Sequence, residues 1–164
     1  MRILGIDPGL VATGYGIVAA DEQYRLDCLA AGVIRPDSMT MTVRLLHIHE
    51  KLTELLHEFI PDALAMEDLY TTYSHPKTAI LMGHARGVVF LAAAQRGVPV
   101  INYAPTELKR AITGHGRASK DQVQAMVLRL LRLPEKPIPD HISDALALAI
   151  CHAYRERALP ILRR

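Results

Sequence analysis

Residues 2 to 9 read Arg-Ile-Leu-Gly-Ile-Asp-Pro-Gly, an apolar run that ends in a carboxylate and turns at once. Its β-branched body predicts a buried strand, and Pro8-Gly9 enforces a turn directly after Asp7. An isolated charge on such a strand is costly, because a carboxylate leaves water cheaply only when it is paired, hydrogen-bonded or bound to a cation. Either Asp7 caps its own turn through its side chain, or the rest of the chain brings it companions.

The following residues predict the surroundings of that strand. Thr13 to Ala20 and Leu26 to Ile34 read as two more strands, with Gly14 and Gly16 marking close backbone approach. Short polar connections between the three imply an antiparallel meander. Apolar residues from Val43 to Phe59 recur at helical spacing until Pro61, and His47, His49 and His57 on that helix read as surface residues. Ala63 to Glu67 is a short apolar run that again ends in a carboxylate. After a polar loop at 70–77, Thr78 to Arg96 is apolar on nearly every side and predicts a helix buried on more than one face. Gly83 and Gly87 lie one turn apart on it and suit close packing, against the sheet in preference to a second subunit. Val98 to Tyr103 predicts a fifth strand, Pro105 to Thr113 a short helix, and Ser119 caps a helix running to about Leu131. After three spaced prolines, a last helix is expected from His141 to Tyr154.

A chain of 164 residues that is half hydrophobic fits one domain spanning 1–164. Its net charge of +2 leaves nucleic-acid binding to a local patch. Cys28 and Cys151 lie far apart without ligand spacing, which suits unpaired thiols in a reducing, cytoplasmic setting. No signal peptide or membrane-length apolar run is visible, so a soluble cytoplasmic protein is expected.

Three acidic residues sit at the edges of apolar elements: Asp7 and Glu67 at strand ends, and Asp144 in the first turn of the last helix. His141 precedes Asp144 by three and shares its helical face. Asp144 alone could simply complement the helix dipole. Converging carboxylates, however, repel one another unless cations neutralise them, the arrangement that Mg²⁺ or Mn²⁺ selects. Two such ions about 3.5 to 4 Å apart activate water and stabilise a leaving oxygen in phosphodiester hydrolysis.

Ile-Asp-Pro-Gly at 6–9, Thr-Gly-Tyr-Gly at 13–16, Met-Glu at 66–67, Gly-His-Ala-Arg-Gly at 83–87 and Asp-Ala-Leu-Ala-Leu-Ala-Ile at 144–150 resemble the RuvC family of Holliday-junction resolvases. The match holds in order and spacing across essentially the whole chain. It implies a ribonuclease-H-like α/β fold, with a five-stranded mixed sheet of three antiparallel and two parallel strands flanked by helices. It further implies a homodimer that acts on four-way DNA junctions in recombination and repair, nicking two like-polarity strands symmetrically. Divalent metal, Mg²⁺ or Mn²⁺ and two ions per active site, goes with that activity, as does a branch-migration complex of the RuvA and RuvB type.

Carried over residue by residue, the resemblance makes Asp7, Glu67 and Asp144 catalytic metal ligands. The fourth position departs from part of the family, whose better-known members place a second Asp where this chain has His141. Asp140 is the rival, but using it shifts the match by one residue. An imidazole there makes the site one charge less negative than four carboxylates and moves its preference toward Mn²⁺.

Lys77, Lys109, Arg110, Arg117 and Lys120 form a basic cluster, from which Lys77, Lys109, Arg117 and Lys120 are expected to bind DNA. Lys109 and Lys120 match family positions near the scissile phosphate. Lys120 also opens a helix, a poor place for a cation unless an anion lies nearby. Tyr70 aligns with an aromatic that stacks on unstacked junction bases, worth about 1 to 3 kcal/mol per base, and Tyr73 is a second candidate. Actin-like kinases and ATPases share the opening turn but need a second domain. A catalytically inactive junction- or RNA-binding relative of the same fold is the remaining alternative.

Overall fold

The computed structural model describes residues 1–36, 40–68 and 76–162, and for 76, 77 and 159–162 the backbone alone. Tyr70 and Tyr73 therefore lie outside the described residues, as does the side chain of Lys77. In chain order the elements are β1 (Arg2–Asp7), β2 (Thr13–Ala20), β3 (Leu26–Ile34), α1 (Met41–Phe59), β4 (Ala63–Glu67), α2 (Pro76–Gln95), β5 (Val100–Tyr103), α3 (Pro105–Thr113), α4 (Lys120–Leu130) and α5 (Asp140–Leu162). The sheet runs in the order β3-β2-β1-β4-β5. The β1–β2 and β2–β3 pairs are antiparallel, whereas β4 joins β1 and β5 in parallel. This is the expected ribonuclease-H-like arrangement, with β1 at its centre.

Alternation along the strands divides the core between two faces. Ile3, Ala65 and Tyr103 pack with α3, α4 and α5 on one face. Leu4, Ile6, Leu64 and Met66 pack with α1 and α2 on the other. With both faces of β1 covered, its apolar residues are almost wholly buried, as a central strand requires.

The strand boundaries largely follow the sequence pattern, but three expectations are corrected. Val98 does not open β5. Its N–H instead bonds the Ala93 carbonyl at 3.0 Å, closing α2 over Gly97, whose φ of 67° is left-handed. The last helix runs on past Tyr154 to Leu162, because Arg155, Glu156 and Arg157 favour helix after the apolar stripe has ended.

The third correction concerns α2, which is buried on one face and not on several. Ala85, Arg86, Val89, Ala92 and Ala93 face the sheet, while Ile80, Leu81, Phe90 and Leu91 are exposed. A Cβ at Gly83 or Gly87 would meet nothing within 4 Å, so neither glycine packs on the sheet. Apolar character all round a helix signals burial only when something covers each side, and here one side is open.

Candidate active site

Alternation along β1 turns Asp7 toward the α5 face, like Ile3 and Gly5. The turn that follows is pinned by another residue. Fully buried Thr13 accepts from the Gly9 N–H at 3.2 Å and donates its hydroxyl to the Gly9 carbonyl at 2.7 Å. Asp7 is thus not needed as a cap. Its Oδ2 instead accepts a hydrogen bond from His141 Nδ1 at 2.6 Å. With the proton on Nδ1, a neutral ring keeps its Nε2 lone pair available for a cation.

Three glycines place His141 there. A Cβ at Gly14 would lie 2.0 Å from the His141 carbonyl oxygen, one at Gly5 would lie 1.9 Å from that of Ala145, and one at Gly16 would lie 2.6 Å from the Leu146 side chain. Gly14 pairs with Asp7, and Gly16 with Gly5, across β1 and β2. The sheet is therefore bare where α5 crosses it, and the helix backbone settles onto the strands.

Glu67 reaches the same place from β4. The parallel register pairs Ile6 with Met66, and one step further sets Glu67 beside Asp7. Asp144 arrives one turn along α5 from His141. The carboxylates sense one another. Burial, then the charges of Asp144 and Asp7, hold Glu67 above its ordinary pKa. Burial does the same to Asp144, opposed by Lys120 and reinforced by Asp7.

Among the described residues, Lys120 brings a cation to these carboxylates. Its Nζ lies 3.5 Å from Asp144 Oδ2 and 3.8 Å from Asp140 Oδ2, and the Asp144 charge raises its pKa. It stands at the start of α4, whose first turn is fixed by a capping box between Ser119 and Gln122. Lys109, on α3, is close enough to oppose the rise at Glu67. Asp140 is exposed and faces Lys120, whereas His141 meets Asp7.

Arg117 lies elsewhere, with Thr106, Arg110, Gly114, His115 and Gly116 around a cleft of about 440 Å³ formed by α3 and the loop that follows it. Sequence reasoning missed Thr13. It also missed Arg86 as part of this region, although a charge amid the apolar residues in the middle of α2 was the available signal.

As placed, no three His, Cys, Asp or Glu side chains among the described residues form a group that could hold a metal ion. The His141 proton and the Lys120 ammonium take up acceptor oxygens of Asp7 and Asp144. The donor set nevertheless suits a hard divalent ion, since it offers three carboxylates and one imidazole, two of the carboxylates being disfavoured in their charged forms by burial and mutual repulsion.

A protein-family model described as crossover junction endodeoxyribonuclease RuvC matches residues 3–152. A protein of that name from Thermomicrobium roseum is 43% identical over 164 residues, covering 99% of both chains. Another from Rhodopirellula baltica is 48% identical over 153 residues, covering 93% of this chain and 85% of its own. Among solved structures, T. thermophilus RuvC in complex with a Holliday junction substrate superimposes with a TM-score of 0.87 at 35% identity, covering 96% of each chain.

Proposed function

The chain belongs to the RuvC family of crossover junction endodeoxyribonucleases, and on that footing we propose that Asp7, Glu67, His141 and Asp144 form its catalytic metal site. The enzyme is a metal-dependent hydrolase that resolves four-way DNA junctions by nicking two like-polarity strands symmetrically during recombination and repair. The observation that carries the assignment is the meeting of two strand ends and one helix turn at four donors, with His141 Nδ1 2.6 Å from Asp7.

The site takes two divalent ions, Mg²⁺ or Mn²⁺, which supply charge neutralisation and Lewis acidity for phosphodiester hydrolysis. The protein's own part is to hold donors rigidly. Asp7 and Glu67 are fixed by strand pairing, and His141 and Asp144 are fixed by the close seat of α5. Lys120 lies against Asp144 and Lys109 is near enough to act on Glu67, and their charges would offset repulsion between a DNA phosphate and the acidic cluster. Arg117 contacts DNA further out, as do Tyr70, which follows β4 in sequence, and Lys77 in the first turn of α2.

The enzyme works as a homodimer, one active site for each cleaved strand. The open face of α2 supports this, because exposed Ile80, Leu81, Phe90 and Leu91 flank two glycines that admit a second helix closely. Monomers of Leu91→Glu in sedimentation would agree, whereas an unchanged dimer would place the interface elsewhere. No described helix is long and apolar enough to cross a membrane, and the protein acts in the cytoplasm beside a branch-migration complex of the RuvA and RuvB type.

One experiment tests the assignment. Wild type and Asp7→Asn are incubated with a synthetic four-way junction, with and without Mn²⁺ or Mg²⁺. Paired nicks from the wild type alone, with junction binding kept in the mutant, are expected. Binding without cleavage under every metal would instead make the chain an inactive junction-binding relative.

A further inference from the structure

Arg86 is a charged residue in the least suitable place on α2. It is 7% exposed and sits among Ala85, Val89 and Ala92, against the sheet face opposite the candidate site. Burying a guanidinium costs several kcal/mol unless its donors are matched, so its partners show what the position is for. Nη1 donates to the main-chain carbonyl of Glu67, and Nη2 donates to Asn102 Oδ1 at 3.1 Å. The guanidinium also lies 5.9 Å from the centre of the Phe90 ring.

Both acceptors belong to neighbouring parallel strands at the same level. Met66 pairs with Asn102, and Glu67 with Tyr103. The strands end here, so the ladder that holds Glu67 is about to run out. The Asp68 N–H still bonds the Tyr103 carbonyl at 2.8 Å. Arg86 adds a tie from behind, gripping the Glu67 backbone while the Glu67 side chain faces Asp7 and Asp144 on the other side of the sheet.

We infer that Arg86 is a positioning residue for Glu67, its guanidinium locking the C-terminal ends of β4 and β5 so that the Glu67 carboxylate is presented to the metal site. The inference rests on the reading of Glu67 as a metal ligand. Groups that orient a ligand from outside the coordination sphere typically contribute about 10- to 100-fold in metal affinity. A residue needed only for core packing would change thermal stability and leave metal affinity alone.

The test measures Mn²⁺ binding to the full-length protein by the paramagnetic resonance signal of free Mn²⁺. Junction binding in EDTA and thermal melting are followed in parallel. Arg86→Met is expected to bind Mn²⁺ roughly tenfold more weakly with unchanged junction affinity, and Arg86→Lys to recover part of the loss. Asn102→Ala, which frees one arm of the guanidinium, should weaken binding by a smaller factor. In a Glu67→Gln background, Arg86→Met should add nothing, since coupled residues are not additive. Wild-type Mn²⁺ affinity in folded Arg86→Met overturns the inference. If that variant does not fold, wild-type affinity in Asn102→Ala overturns it equally. Wild-type affinity in Glu67→Gln would instead remove Glu67 as a ligand, while loss in Glu67→Gln with none in Arg86→Met removes only the positioning role.

Discussion

Gly14→Ala tests whether the bare sheet surface sets the active-site geometry. The added Cβ would meet the His141 carbonyl oxygen at 2.0 Å, its carbon at 2.5 Å and the His141 Cβ at 2.9 Å. All three belong to the start of α5, and two are backbone, so no rotamer change relieves the clash. Restoring a contact of 3.0 Å requires about 1 Å of movement, and that movement carries His141 away from Asp7. A displacement of about 1 Å at a reacting centre typically costs on the order of 100-fold in rate, and overpacking costs about 1–3 kcal/mol in stability. For a chain of this size the latter lowers Tm by roughly 2–4 °C per kcal/mol. The assay is single-turnover nicking of a four-way junction in saturating Mn²⁺, well below the variant's Tm. Gly16→Ala provides the comparison, because its nearest obstacle is the Leu146 side chain, which can rotate. It should lose stability with a much smaller loss of rate. Nicking by folded Gly14→Ala at the wild-type rate would refute the idea that this glycine positions the site.

Ser119→Ala removes one half of the α4 capping box and should cost about 1 kcal/mol, seen as a lower Tm in calorimetry. Lys120→Ala should cut nicking and reduce the slope of log affinity against log salt by about 1, if Lys120 contacts a phosphate. His152 is held below 6.5 by burial and shares a 2.6 Å hydrogen bond with the Tyr103 hydroxyl. The unfolded chain therefore protonates first as pH falls, so this stability is fully present above pH 6.5 and is lost as pH drops through the folded value. Melting temperatures should fall between about pH 7 and pH 5, less steeply in His152→Gln. Burial pushes the Cys151 thiol up to about 12, while Cys28 is raised less and is partly exposed. Iodoacetamide on the native protein near pH 8 should label Cys28 well before Cys151, as read by peptide mass spectrometry.

Much of this architecture was legible because strand and helix periods are local properties of the chain. The segment from Arg2 to Asp7 announces its strand through β-branched residues and its end through Pro8-Gly9. The carboxylates at 7, 67 and 144 stood out because each breaks an apolar element at its edge. Thr13 was not legible as the pin of the turn, since a threonine beside a glycine looks like the first residue of a strand. Nor was the open side of α2, because periodicity reports which faces are apolar without reporting what covers them. The seat of α5 lay between these cases. Gly14 and Gly16 signalled close approach, but which element approaches is a long-range fact, separated from them by more than a hundred residues.

Those glycines also bear on why the site is built as it is. A glycine inside a strand loses more backbone entropy than other residues and offers no side chain to pack. If the sheet needed only a helix to cover it, alanine or valine at positions 5, 14 and 16 would serve better and hold α5 at ordinary distance. At that distance His141 could not reach Asp7, and Asp144 would stand further from Glu67. The strand cost is thus offset only by what close approach delivers: donors from one helix brought to the ends of β1 and β4. The awkward charge at the end of β1 and the missing side chains beside it are two parts of one requirement. Asp7 is tolerated on the central strand because the bare surface next to it lets α5 bring His141 within a hydrogen bond.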